Sequence, residues 1–227
     1  MDMLRKFPKT PHLFWFSPQP ARDDKVMTPA EAEAFLASGR LVVEEKVDGS
    51  NLGISFDETG RLRAQNRGNF LEGPLRGQWE GLRGWIARHE TGLREQLPKG
   101  AVLYGEWCYA QHSIAYTRLP DWFLGFDVLD ANDRFWSTRR RDVLFAATEV
   151  KPVREVARGF FTMGELRAML SRESVYGDGP VEGLYLRSED DEWLTQRAKL
   201  VRPEFIQVIG EHWSRGPLCL NRQVQSA

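Results

Sequence analysis

The 227-residue chain predicts an α+β fold of mainly antiparallel sheets with flanking helices. Three observations carry the prediction. Apolar runs of strand length outnumber the stripes at helical spacing. The two kinds do not alternate regularly, as a doubly wound sheet would require. Neighbouring runs are joined by turn-rich segments such as Asp57-Glu58-Thr59-Gly60, the signature of hairpins. An apolar content of 41% with 28% charged residues is enough for one sizeable core and speaks against a disordered chain.

Residues 1–28 are expected to be irregular, because prolines at 8, 11, 18 and 20 break regular elements. Within them, Pro11-His12-Leu13-Phe14-Trp15-Phe16 is an apolar patch expected to dock on the core. Thr28-Pro29-Ala30-Glu31 opens a helix, with threonine as N-cap, proline in the first position and an acid near the positive end of the dipole; Gly39 stops it. Residues 1–40 therefore read as a segment and helix packed on a main domain of residues 41–227. That domain starts with a strand at Leu41-Val42-Val43, followed by strands near 51–57 and 61–67. Leu75, Trp79, Leu82, Trp85 and Ile86 fall at helical spacing, one buried stripe running to about His89. Residues 101–108 and 122–129 read as buried strands, and 138–147 and 162–170 as helices each opened by a threonine. Residues 181–186 and 193–201 form a hairpin pair across an acidic turn, and Pro203 begins a last helix reaching Trp213.

Composition excludes several classes. Cys108 and Cys219 lie far apart with no Cys-x-x-Cys, so neither a disulfide framework nor a structural zinc site is expected. No apolar run approaches membrane-spanning length and the N-terminus lacks an apolar signal core, so a cytoplasmic protein without membrane contact is expected. Net charge is −1, yet the charge is segregated. Residues 61–94 carry seven arginines against three glutamates, 134–172 nine Lys/Arg against four acids, and 173–192 seven acids against one arginine. Such segregation allows a basic face for phosphates on a nearly neutral molecule, or the solvated faces of helices.

The most informative stretch is Glu44-Glu45-Lys46-Val47-Asp48-Gly49-Ser50-Asn51, a strand running into a tight turn and a second strand. Taken alone, Lys46 reads as an exposed lysine opening a hairpin. Five further stretches follow it in order: Gln65-Asn66-Arg67-Gly68, Tyr104-Gly105-Glu106-Trp107, Phe123-Leu124-Gly125-Phe126-Asp127-Val128, Val181-Glu182-Gly183-Leu184 and Arg197-Ala198-Lys199-Leu200. The ordered set, from about residue 44 to 201, resembles the motifs of the covalent nucleotidyltransferase superfamily of polynucleotide ligases and RNA-capping enzymes. Its details are most similar to the nick-sealing type of ATP-dependent RNA ligase. The resemblance implies an ATP-grasp-like nucleotidyltransferase domain, ATP with Mg²⁺ or Mn²⁺ as cofactors, and a lysyl-AMP intermediate. AMP then passes to an RNA 5′-phosphate, and a 3′-hydroxyl displaces it.

By position the resemblance makes Lys46 the nucleophile. A lysine of pKa near 10.4 is almost all ammonium at pH 7, and lowering it to ~7–8 takes roughly 4 kcal/mol. Lys199, Arg197 and a divalent metal are expected to supply that. Arg197 and Lys199 alternate along a strand and so share a face suited to a phosphate clamp; without the resemblance they would be an exposed strand face. Glu45 matches the position that reads the adenine edge, the alternative being an exposed strand acid. Asn51 and Arg67 match positions near the ribose and the 5′-phosphate, with Asn66 and Gly68 bending the chain to aim the guanidinium. Glu106 matches an acid near the ribose hydroxyls and, with Glu182, a metal ligand. Phe126 would stack on the purine, the alternative being a core phenylalanine. Gly49 would admit phosphate, or is simply the turn glycine. His12, His112 and Asp127 are lesser candidates for substrate contact.

Two departures stand out. Several relatives have lysine where Arg197 stands. Only about twenty-five residues follow Lys199, too few for the OB-fold or extra helical domain common in the superfamily, so a partner chain gripping nucleic acid is an open expectation. A minimal DNA ligase, a GTP-using capping enzyme and a non-catalytic end-binding module are the competing functions.

Overall fold

The computed structural model describes residues 4–17, 24–208 and 217–224. In chain order the elements are α1 (Pro29–Ala37), β1 (Leu41–Lys46), β2 (Ser50–Phe56), β3 (Leu62–Gln65) and α2 (Leu82–Gln96). Then come β4 (Val102–Trp107), β5 (Phe123–Leu129), α3 (Thr138–Thr148), β6 (Lys151–Pro152) and β7 (Glu155–Gly159). The last are α4 (Met163–Met169), β8 (Gly183–Glu189), β9 (Leu194–Val201) and α5 (Pro203–Val208).

The strands form two sheets. One has the order β7-β1-β8-β9 and is antiparallel throughout; the other has the order β3-β2-β4-β5-β6, with a single parallel pair at β5 and β6. The α+β class is as the sequence predicts. Each sheet has its own apolar layer. Leu52, Ile54, Leu103, Phe123 and Val128 of the second sheet pack with Trp85 and Leu93 of α2 and Phe145 of α3. Leu41, Val43, Leu184 and Leu186 of the first pack with Phe35 of α1 and Leu166 of α4. The two sheets are linked through charged groups, described below, and through the chain itself. Lys46 is the last residue of β1 in one sheet and Ser50 the first of β2 in the other, so the Val47-Asp48-Gly49 turn is the crossover between them.

Local signals account for most elements. Thr28 caps α1 and Thr162 caps α4, each in a reciprocal capping box with a glutamate three residues on. The cap of α3 is Ser137, whose hydroxyl accepts from the Arg140 amide, and Thr138 is already inside the helix. The predicted helix around Leu75 starts later: Leu75 and Trp79 precede it, Gly77–Trp79 is a 3₁₀ turn, and α2 then continues past His89 to Gln96. All still pack on one core. The predicted strand at 181 begins at Gly183 and runs on to Glu189. The short β6 and the edge strand β7 carry no apolar run, which is why the sequence does not announce them. The predicted final helix is seen as Pro203–Val208; its remainder lies outside the described residues. Leu13 of the N-terminal patch is buried in the layer with α1, while Phe14 is half exposed.

Gly183 shows how tightly the first sheet closes. A Cβ there would lie 2.2 Å from the Leu200 carbonyl oxygen of the paired strand, a backbone atom that cannot swing away. Gly183→Ala is expected to force β8 and β9 apart and cost at least about 2 kcal/mol, read as a lower urea midpoint at an unchanged slope.

Candidate active site

A cavity of about 630 Å³ opens where the two sheets meet. That lies within the range of roughly 300–1,000 Å³ that small-molecule sites occupy. The first sheet contributes Lys46, Tyr185 and Lys199 to its wall, and the second contributes Asn51, Glu106 and Phe126.

Lys46 ends β1 in register with Gly183, which brings the preceding residue, Glu182, alongside it. The Lys46 ammonium donates to both Glu182 carboxylate oxygens at 2.7 Å. Burial works to lower the pKa of this lysine, but the carboxylates of Glu182, Glu106 and Asp48 outweigh it and hold the group above its ordinary value. Glu106 faces the same point from β4, opposite Asn51, and its Oε1 accepts from the Gly49 amide at 3.1 Å. Desolvation raises Glu106 to about 8; Lys46 opposes the shift, and Glu182 and Asp48 add to it. Glu182 is raised for the same leading reason.

Arg197 and Lys199 leave β9 on one side as predicted, but other groups engage both. The Arg197 guanidinium donates to Asp127 at 3.1 Å and lies over Phe135, 3.8 Å from the ring centroid. It forms no part of the cavity wall. Lys199 does line the cavity, and its ammonium donates to Asp24 at 3.0 Å. In this state a carboxylate, not a cation, sets the charge of Lys46.

The flanking acids differ in their use. The Glu45 carboxylate accepts from the Ser174 hydroxyl and, at 3.4 Å, from the Val175 amide. It is buried, not an exposed strand acid, and that carboxylate is already bonded to the 174–175 loop. Asp48 accepts from the amides of Ser113 at 2.6 Å and Ile114 at 3.2 Å. Gly49 is required by packing: a Cβ there would sit 2.7 Å from the Trp107 carbonyl oxygen. Arg67 is exposed on the cavity rim, and the Asn66 side chain accepts from the amides of Gly68 and Asn69 to form the bend expected beside it. Phe126 is half buried in the wall, 5.1 Å from the ring of Phe7 and 6.4 Å from that of Tyr185. His112 approaches Gln78, with Nε2 3.2 Å from its Oε1.

Sequence reading missed two groups. Phe7, Lys9, Thr10 and Asp24 of the irregular N-terminal segment line the cavity. Polar residues between prolines give no signal that they return to the site. Behind the wall lies a fully buried charge cluster. Arg141 of α3 donates to Glu44 at 2.7 Å, and Arg187 of β8 donates to Asp127 at 2.6 Å and to Glu189 at 3.1 Å. Apart from Arg187 and Glu189, which share β8, these charges sit on different elements, so no local pattern marks the cluster.

His12 links this segment to β9 by bridging to Lys199 and Val26. It is buried, both ring nitrogens lack a hydrogen-bond partner, and Nε2 is 3.8 Å from Asp24. Burial and Lys199 lower it to about 4, against the pull of Asp24 and with a further push from Lys46. The folded state thus refuses a proton that the unfolded chain accepts near 6.5. Stability is full above that value and is lost as pH falls towards 4, by about 2 kcal/mol at pH 5. Denaturant titrations at pH 7 and pH 5 should show this loss, and His12→Leu should remove it.

Glu106, half-buried, and Glu182, buried, are two carboxylates held close to Lys46, and desolvation raises both. Among the described residues no group of three or more His, Cys, Asp or Glu is set to hold a metal by itself. That donor set fits a hard cation bound by one or two carboxylates together with phosphate oxygens and water.

The site thus sets a lysine, at the crossover between two sheets, beside two carboxylates in a cavity that both sheets line. The RNA ligase family model matches residues 39–201, and the chain belongs to that family. No curated protein matches it significantly. Among solved structures, Naegleria gruberi RNA ligase with PPi has a TM-score of 0.61 at 17% identity, covering 85% of this chain and 59% of that one. A lysine-to-methionine mutant of the same ligase with AMP and Mn has a TM-score of 0.58 at 15% identity, covering 89% and 63%. A lysine-to-alanine mutant with ATP and Mn has a TM-score of 0.57 at 15% identity, covering 78% and 54%. The matched part thus spans between about half and two thirds of those chains.

Proposed function

We propose that the chain is an ATP-dependent RNA ligase whose nucleophile is Lys46. The observation that carries this is Lys46 on the cavity wall with Glu106, its ammonium paired with the buried Glu182 behind it. The Lys46 nitrogen attacks the α-phosphorus of ATP; the nitrogen–phosphorus bond forms, the bond to pyrophosphate breaks, and the amine gives up its proton. AMP then moves to an RNA 5′-phosphate, and a 3′-hydroxyl attacks that phosphate and expels AMP.

The chain's own residues prepare the first step. Burial alone would favour the neutral amine, and Glu182, Glu106 and Asp48 oppose it. Once Glu182 and Glu106 turn to another cation, desolvation favours the neutral, nucleophilic amine. Glu182 and Glu106 would hold Mg²⁺ or Mn²⁺, which supplies charge neutralisation on the phosphates when bound. Lys199 would exchange Asp24 for phosphate oxygens, and Phe126 and Tyr185 offer apolar faces to the base. Arg67 on the rim is suited to a 5′-phosphate, whereas Arg197 acts from behind the wall. The Glu45 backbone and Asn51 complete the nucleotide site. A partner chain that grips the RNA is compatible with this assignment.

The test offers α-labelled ATP and GTP side by side with Mg²⁺ or Mn²⁺, then matched nicked RNA and DNA. Label from ATP alone, released as AMP on sealing RNA, is the expected result. No label from either nucleotide would overturn the assignment, label from GTP would favour a capping enzyme, and sealing of DNA alone a DNA ligase. Salt-sensitive binding of 5′-phosphate ends without label would leave an end-binding module.

A further inference from the structure

Residues 217–224 return to the back of the site and join the loop at 109–119 on both sides. Backbone bonds run from Gln111 to the Cys219 carbonyl, from Asn221 to that of Tyr109, from Arg222 to that of Tyr116, and from Leu119 to that of Arg222. At the centre is Asn221, buried, with every contact made by its side chain directed to that loop and the strand before it. Its Oδ1 accepts from the Tyr116 amide at 2.8 Å, and its Nδ2 donates to the carbonyls of Cys108 at 2.8 Å and Ala110 at 3.1 Å.

The loop so held is the one that holds the lysine turn. The Tyr116 hydroxyl accepts from the Asp48 amide at 2.9 Å, and the Ser113 and Ile114 amides donate to the Asp48 carboxylate. The Thr117 and Arg118 amides donate to the Tyr176 carbonyl, in the segment that engages Glu45. Asp48 is thus fixed by the loop that Asn221 holds, and Glu45 by a segment bonded to that same loop. Amide side chains are rarely buried with three good bonds unless the geometry they set matters.

We infer that Asn221 is a positioning residue for the nucleophile: the segment around it is a strap that fixes Lys46 for attack through Tyr116 and Asp48. The strap lines no part of the cavity, so it governs the rate of attack and not the binding of ATP. The inference rests on the function proposed above.

Three full-length variants test it: Asn221→Leu, Tyr116→Phe and, as control, Arg222→Ala, whose side chain is exposed. Both of the first two are expected to lower the maximal rate of labelling by α-labelled ATP by about 10²-fold, the scale of misplacing a reacting group. The half-saturating ATP concentration should stay within about threefold, because binding is not what is lost. Arg222→Ala should label as wild type. Hydrogen exchange without nucleotide should show lost protection at 113–116 in Asn221→Leu. Unchanged protection there, or wild-type labelling by Asn221→Leu or Tyr116→Phe, would overturn the inference. If Asn221→Leu does not fold, Tyr116→Phe decides, since it keeps the ring in the core and removes only the acceptor. A wild-type chain that takes no label refutes the proposed function instead, and the exchange measurement still reads the strap by itself.

Discussion

Lys46→Met is expected to take no measurable label from α-labelled ATP, a loss of at least about 10³-fold, the scale of removing a nucleophile. Methionine keeps the unbranched stem and removes the amine. Glu182 then faces Glu106 without its cation. Both carboxylates are already raised by burial, so they can take up a proton instead of staying charged. The fold should therefore survive, with ATP binding retained through Lys199 and the aromatic wall. An intact melting transition with labelling lost is the outcome expected. Labelling at even a tenth of the wild-type rate would mean that another residue carries the nucleotide.

The largest effect on stability is expected at Arg187, well away from the chemistry. Arg187→Met would leave Asp127 and Glu44 as buried carboxylates each short of a cation, with Glu189 losing one of its partners as well. Removing one side of a buried charge pair costs about 3–5 kcal/mol, and a chain of this size loses roughly 2–4 °C of melting temperature per kcal/mol. A drop of roughly 6–20 °C is expected by calorimetry. Lysine should rescue little of it. The guanidinium reaches Asp127, Glu189 and the Trp136 carbonyl from separate nitrogens, and a single ammonium cannot do so. The cluster also bears on the site. Glu44 and Tyr185 line the cavity, and Tyr185 donates to Asp127 at 3.2 Å, so the ions that tie the two sheets together form the back of its wall. A loss below about 1 kcal/mol would show the charges to be individually dispensable.

Much of this was legible in the sequence where a local rule governs. Capped helices, the strand ending at Lys46 and the alternation along β9 follow from nearest neighbours, but the turn after Lys46 crosses between the two sheets and does not close a hairpin. Lys46 and Glu182 meet because β1 pairs with β8, whereas Glu106 comes from the other sheet. What the sequence did not disclose depends on distant partners. Arg197 looks like a clamp residue until Asp127, seventy positions away, takes its guanidinium. Glu45 looks exposed until the Ser174 loop folds over it. Asp24 and His12 lie among prolines and polar residues, and only the bridge to β9 brings them to Lys199. Asn221 is one polar residue near the end of the sequence, and nothing local distinguishes it.

The most direct test of the account locates the covalent bond. Wild-type chain incubated with ATP and Mg²⁺ or Mn²⁺, without RNA, is measured by intact mass, digested, and its modified peptide fragmented. The account predicts one adenylyl group per chain, bonded to the side-chain nitrogen of Lys46 and lost on adding pyrophosphate. An adenylyl group on any other residue, or an unmodified chain under conditions where RNA is sealed, would contradict it.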